Sequence, residues 1–255
     1  MSSTRFLALV FATAGTVFSQ TTIPVVVELF TSEGCSSCPP ADDLLSRLDA
    51  PAGRGGKQRA PLPPGIEVIT LGEHVDYWDQ LGWKDRFSSP LFSARQQDYG
   101  QAFKVAAVYT PQVVVNGGIQ VLGSDSRAVQ DAIRKAADDP RADVKLTLSS
   151  NQTVTIRVGK LPPGSHQAEM LLAITESGVD TGVFGGENSG RILHHAAVVR
   201  SLSSLGRLDP KNPGEYTADA RLSFKAEWNR LNLKLVLFVQ DRTTRRILGA
   251  ATLKP

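Results

Sequence analysis

Two cysteines, Cys35 and Cys38, stand three positions apart where an apolar run gives way to a helical pattern. They are the only two cysteines among the 255 residues. Upstream lies Val25-Val26-Val27, and the stretch continues Glu28-Leu-Phe-Thr-Ser-Glu-Gly-Cys35-Ser-Ser-Cys38-Pro39-Pro40. β-Branched and apolar residues bounded by turn formers read as a strand from Val25 to Phe30. Apolar residues at 41, 44, 45 and 48 read as a helix from Ala41 to Leu48. Pro39 and Pro40 fit its first turn, where no N–H is needed. Two thiols at such a junction can close into a small ring and reopen. Free N–H groups and the dipole at a helix N-terminus favour the thiolate of the first cysteine. Cys35 is then the attacking thiolate and Cys38 the resolving thiol.

Other uses of the pair exist. Half a zinc site needs two more Cys or His ligands, and the histidines are scattered at 74, 166, 194 and 195. A metal gripped by Cys35, Cys38 and His74 is therefore an alternative, and no metal site is assigned. A structural disulfide is another, although so small a ring constrains little of the unfolded chain. Glu28 interrupts the first strand, and a carboxylate there is costly unless paired or protonated. It is a candidate proton acceptor for Cys38, with its pKa raised by burial. The alternative places it on a solvated edge.

Residues 1–19 read as a secretory signal: Arg5 ahead of the apolar run Phe6 to Phe18, then Val17-Phe18-Ser19 as a cleavage pattern. The expectation is a periplasmic or secreted chain with no membrane attachment after cleavage, in an oxidising compartment where the disulfide is the resting state. A net charge of +3, without a basic run, argues against a nucleic-acid partner.

A long loop is expected from Asp49 to Gly65, then a second strand from Gly65 to Gly72. The segment Glu73 to Asp85 is dense in acids and aromatics. On the carboxyl edge of an open sheet it would bring His74, Asp76, Tyr77 and Trp78 to the cysteines as substrate-binding walls. Alternatively, Trp78 and Trp83 cover the core while Asp76 and Asp79 cap a helix. Ser89-Pro90 opens a helix running to Phe103. Thr110-Pro111 precedes Val113-Val114-Val115, and Asn116-Gly117 turns the chain into Ile119 to Gly123. Ser124 to Ala137 reads as a third helix.

Strand, helix, strand, helix, hairpin and helix in that order, with Cys35-Ser-Ser-Cys38 at the first junction, resemble the thioredoxin superfamily. The resemblance implies that Thr110-Pro111 is its cis-proline loop, set against the disulfide and aligning a substrate backbone. The Ser-Ser dipeptide and the position of Glu28 depart from well-known members. A closer likeness runs through Glu28 to Asp42, His74-Val-Asp-Tyr-Trp-Asp79, Leu81-Gly-Trp-Lys-Asp85, Tyr109 to Gly117 and Gly190-Arg-Ile-Leu-His194. These stretches resemble the secreted bacterial family called domain of unknown function 1223, which implies a thioredoxin-like part plus a β-rich part and supplies no function.

From Asp143 the texture becomes alternating. Val144 to Leu148, Val154 to Val158, Gln167 to Thr175, Arg191 to Arg200, Leu233 to Gln240 and Ile247 to Leu253 read as strands. The expected fold class is an α/β thioredoxin-like domain (20–139) followed by a β-rich, antiparallel sandwich-like domain (140–255). His194 and His195 should face opposite sides of a strand and so not share an ion. Gly185 to Gly190 is expected to be a mobile loop packing against the redox half. Thiol–disulfide exchange through Cys35 and Cys38 follows as the leading function, with a cysteine-containing protein or a small thiol as partner and no cofactor implied. A non-catalytic binding module with an inert disulfide is the competing reading.

Overall fold

The computed structural model describes residues 22–50, 62–212 and 214–255. The expected signal segment, and most of the expected loop after Asp49, lie outside these. The apolar run forms β1 (Ile23–Thr31), and α1 (Pro39–Asp49) follows the cysteines with Cys38 at its N-cap position. Then come β2 (Ile66–His74), α2 (Pro90–Phe103), β3 (Gln112–Val115), β4 (Ile119–Leu122) and α3 (Ser126–Ala136). Ser89 caps α2 by accepting from Leu91 N, and Asp125 caps α3 by accepting from Ala128 N. Asn116 and Gly117, both at positive φ, make the tight turn between β3 and β4.

The second half adds β5 (Val144–Leu148), β6 (Thr153–Val158), β7 (Ala168–Glu176), β8 (Val179–Gly182) and β9 (Ile192–His195). It ends with β10 (Val198–Leu208), β11 (Tyr216–Arg221), β12 (Leu233–Asp241) and β13 (Ile247–Leu253). The expected strand from 191 to 200 is thus broken into β9 and β10 at Ala196-Ala197, where Ala197 takes a φ of 52°. β8 and β11 lack the apolar content that marks a strand in sequence.

The expected fold class, an α/β thioredoxin-like domain followed by a separate β-rich sandwich, is overturned. One eight-stranded mixed sheet runs through both halves in the order β13-β12-β7-β10-β2-β1-β3-β4. Among the described residues there are thirteen strands and only three α-helices. The halves join where β10 meets β2 in parallel, Val198 opposite Gly72. Gly72 N donates to Ala197 O at 2.7 Å. A Cβ at Gly72 would lie 3.2 Å from Ala196 O, so glycine lets the backbones approach. The physical reason for the difference is the free edge of β2. Its unpaired N–H and C=O groups need a partner, and β10 supplies one. Side-chain alternation shows which residues share a face but not which strand takes an edge.

Packing follows the sheet. Val25, Val27 and Leu29 pack with Leu44, Leu45 and Ile133 of α1 and α3. On the other face Val26, Ile69 and Leu71 share one cluster with Leu171, Ala173, Val236 and Phe238, so this core draws on both halves. The sheet curls until Ile247 N donates to Asn116 O at 2.8 Å. The small sheet β11-β6-β5 packs Val154, Ile156 and Val158 against Met170, Leu172, Leu235 and Leu237.

Candidate functional site: a covered disulfide above a buried ionisable cluster

Cys35 and Cys38 are joined by a disulfide with their Cα atoms 5.4 Å apart. Both residues are fully buried, while Ser36 and Ser37 between them are exposed. Cys35 N donates to Ser32 O, and Cys38 O accepts from Ala41 N and Asp42 N as the helix begins. The cover comes from the segment between β8 and β9. Asn188 Nδ2 donates to Glu33 O and to Cys35 O, both at 2.9 Å, and Ser36 N donates to Glu187 Oε2 at 2.9 Å. Asn188 is itself fully buried. The Gly185 to Gly190 stretch thus packs against the cysteine loop.

Five ionisable residues lie buried nearby: Glu33, Asp42, His74, Asp85 and His195. His74 ends β2 and its Nδ1 lies 2.6 Å from Asp85 Oδ2. The same oxygen accepts from Glu33 N at 2.9 Å, and Asp85 Oδ1 accepts from Phe87 N at 2.8 Å. The His74 and His195 rings meet edge to face at 4.9 Å, with Phe87 5.4 and 5.7 Å from them. His195 Nε2 approaches Glu33 Oε1 at 3.3 Å, an ion-pair distance at which neither atom makes a hydrogen bond. Glu33 Oε2 accepts from Trp83 Nε1 at 2.8 Å. Asp42 lies four residues after Cys38, so the two occupy one face of α1, a turn apart.

The cluster shifts its own protonation. Burial raises the Asp42 carboxyl above its ordinary range, against the opposing pull of His195 and His74. Burial alone would lower His74. The Asp85 charge and hydrogen bond, aided by Asp42 and Glu33, raise it above the ordinary imidazole range. Asp85 is held low despite burial by His74 and by the N–H groups of Glu33 and Phe87. An acid that holds its proton more tightly than usual thus sits beside an imidazole that does the same. Among the described residues no group of three His, Cys, Asp or Glu is arranged to hold a metal ion, so the reading in which Cys35, Cys38 and His74 grip one finds no support.

The sequence candidates divide. Thr110-Pro111 is a cis peptide bond. Thr110 Oγ1 accepts from Trp78 Nε1 at 2.9 Å. Pro111 O accepts from Gly123 N at 2.9 Å, and a Cβ on Gly123 would lie 3.1 Å from the Cβ of both Pro111 and Ala41, which sets Pro111 close to the first turn of α1. Trp78, Thr110, Pro111 and His74 therefore gather round the disulfide helix. Tyr77 reaches both Thr110 and Gln96 of α2, whereas Asp76 bonds to Ser93 of α2. Burial pushes the Tyr77 hydroxyl up to about 12. Glu28 is neither on a solvated edge nor on the α1 face. It lies fully buried on the opposite face, accepting from Arg95 Nε at 2.6 Å and Tyr99 OH at 2.5 Å.

Glu33, Asp42 and Asp85 are not among the sequence candidates; His195 is weighed there only as a metal ligand, and Glu187 and Asn188 only as part of the loop expected to pack against the redox half. Glu33 and Asp42 flank the cysteines, and Asp85 closes the acid-rich stretch, so proximity was the available signal. The alternation argument does separate the adjacent histidines: His195 is buried, while His194 is exposed and lies 2.7 Å from Asp180 Oδ1.

The family model described as protein of unknown function, DUF1223, matches residues 26–240. The chain belongs to the DUF1223 family. Protein AGR_C_4864 from Agrobacterium tumefaciens has a similar solved structure, with 27% identity and a TM-score of 0.70 over 92% of this chain and 96% of that one. A domain of the outer membrane lipoprotein Omp28 from Porphyromonas gingivalis aligns over 45% of this chain and 88% of that one, at 14% identity and a TM-score of 0.27, too low to bear on the fold. No curated protein matches. The DUF1223 span contains the cysteines, all five buried ionisable residues and the covering segment.

Proposed function

We propose that this DUF1223 protein exchanges thiols and disulfides through Cys35 and Cys38, in the periplasm or outside the cell. The 1–19 segment supports that location. The partner is a cysteine-containing protein or a small thiol. A partner thiolate attacks Cys35 Sγ and the Cys35–Cys38 bond breaks. Its electron pair leaves on Cys38 Sγ, which takes the Asp42 proton. A second partner thiol then gives up its proton, restoring that on Asp42, and attacks the partner sulfur of the mixed disulfide. Cys35 leaves as a thiolate, stabilised by the N-terminus of α1. Two partner thiols become a disulfide as the protein disulfide becomes a dithiol, and the reverse direction uses the same atoms.

The observation that carries this reading is the placement of the disulfide one helical turn from a buried acid, Asp42, on which two buried histidines act. A purely structural bond over so short a loop would add little to stability. Proton transfer to a leaving thiolate, in contrast, needs an acid within reach. Because the sulfurs are covered, the Glu187-Asn188 segment must lift for a partner to enter. The complete burial of both cysteines is what favours the second reading, a binding module with an inert disulfide.

The deciding experiment is the reduction potential of the pair, read against a glutathione series. Exchange proteins span roughly −120 to −270 mV, and a value in that span is expected. A value below about −300 mV, or no reaction at all, would transfer the assignment to the inert-disulfide reading.

A further inference from the structure

A cleft of about 250 Å³ opens between the start of α2 and β10, away from the cysteines. Three cations line it: Arg86, Arg200 and Lys225. The Arg86 and Arg200 guanidinium groups lie 4.6 and 5.0 Å from the centre of the Phe87 ring. Arg200 is also 5.6 Å from the Trp228 ring, and Lys225 Nζ is 6.0 Å from that ring. Aromatic faces thus hold the positive charges around one opening.

Two carboxylates, Glu176 and Glu227, offset the three cations only in part. Arg200 Nε is 3.5 Å from Glu176 Oε2, while the other oxygen of that carboxylate accepts from Asn229 N. Arg86 donates to a neutral carbonyl, Asp180 O, at 2.8 Å. The ring of Trp228 is the contact made by Lys225. Burial, and the charge of Arg86, weaken the hold of Arg200 on its proton, with Glu176 and Glu227 opposing. α2 begins at the rim and carries no acidic residue in its first turn, so its positive dipole end adds to the field. Three cations against two carboxylates leave a surplus of positive charge at the cleft that a small anion would take up. A planar guanidinium fork matches two oxygens of a phosphate or carboxylate. The volume lies below the range of drug-sized pockets, so the ligand is small.

We propose that this cleft is a binding site for a small oxyanion, a phosphate or carboxylate group, held by Arg200 and Lys225 with Arg86 at the rim and its carrier lying on Trp228. The proposal is independent of the chemistry at the cysteines.

The test uses the full chain, titrated separately with inorganic phosphate and with citrate at ionic strength held constant by chloride, and read by tryptophan fluorescence and melting temperature. A saturable response to at least one probe is expected. Phosphate alone identifies a phosphoryl ligand, and citrate alone a carboxylate. Lys225→Ala should weaken the response about tenfold, the loss of about 1.4 kcal/mol of contact. Arg200→Gln should abolish it, and Arg200→Lys should restore it only in part because the fork is lost. If an Arg200 variant fails to fold, Lys225→Ala and Arg86→Ala, both at exposed positions, carry the comparison. No saturable response to either probe, or a response in Lys225→Ala and Arg86→Ala unchanged from that of the wild-type protein, overturns the proposal.

Discussion

On one face of the β1–β2 pair, Glu28 and Glu73 share Arg95. On the face that carries α1, Asp85 pairs with His74 and Glu33 with His195, while Asp42 feels both histidines. Both groups are buried, and both mix acids with bases. They differ in the base. An arginine keeps its charge at any pH a protein survives, whereas an imidazole titrates near neutrality. Arg95 also reaches Gln240 Oε1 at 3.0 Å, and Gln240 Nε2 donates to Tyr99 OH at 2.8 Å. The arginine cluster therefore ties the second half of the chain to the first. The histidine cluster lies where the disulfide is, and its protons can move. Burial of charge serves cohesion in one case and, in the function proposed above, exchange in the other.

The largest effect should come from the arginine side. Arg95→Met leaves Glu28 without its cation, and Glu73, already raised by burial and by Glu28, cannot offset it. Breaking a buried pair by removing one partner costs about 3–5 kcal/mol, a large share of a typical domain's stability. Urea unfolding measures it, and the cost should be the same with the cysteines oxidised or reduced. A loss under about 1 kcal/mol would end the contrast between the clusters. Asn188→Ala comes next. It strips the donor from Glu33 O and Cys35 O, which costs about 1–3 kcal/mol. It should also speed reduction of the disulfide by dithiothreitol. Unchanged reduction kinetics would mean that Asn188 does not shield the sulfurs.

How much of this was legible follows from the kind of signal each feature gives. β1, α1, α2 and the hairpin at Asn116-Gly117 are local, and periodicity, caps and turn chemistry located them. The cysteine pair and Thr110-Pro111 are local too. The continuous sheet is not, because the Val198–Gly72 contact joins residues far apart in the chain and neither carries a mark of its partner. Glu28 illustrates the same limit. Its place in an apolar strand signalled a buried acid needing a partner, but Arg95 lies 67 residues away. The strand period could not decide whether the α1 or the α2 face received it. His195 was separable from His194 by alternation, yet its nearness to His74 and Glu33 depends on how the β8–β9 hairpin docks.

Titration sharpens the comparison on a smaller scale. His74 is raised in the fold, so its stabilising contribution is complete below its unfolded value of about 6.5 and is lost as pH rises through the folded value. Asp85 is lowered, so its contribution holds above about 3.9 and is lost as pH falls. Asp42 and Glu73 are raised, and their cost grows as pH rises above the ordinary carboxylate range. All three rising-pH effects have one sign, so the urea midpoint should be higher at pH 5 than at pH 8. His74→Asn should remove part of that difference. A midpoint that climbs from pH 5 to pH 8 would show that the histidine cluster is not charged as described.

The smallest effect on stability, and the most telling on chemistry, is expected from Asp42→Asn. Asparagine stands in for the protonated acid that burial already favours, and it removes a buried charge at alkaline pH. Stability at pH 8 should therefore hold or rise slightly, opposite in sign to Arg95→Met. Asparagine cannot give Cys38 a proton. General acids contribute about 10²–10⁴ in rate, so reduction by glutathione should slow by at least about tenfold in mildly acidic solution. The deficit should shrink as pH rises, because in the wild-type protein Asp42 then loses the proton it would donate. Rates that run parallel at every pH would assign Asp42 to structure alone, and the two clusters would then differ in composition but not in role.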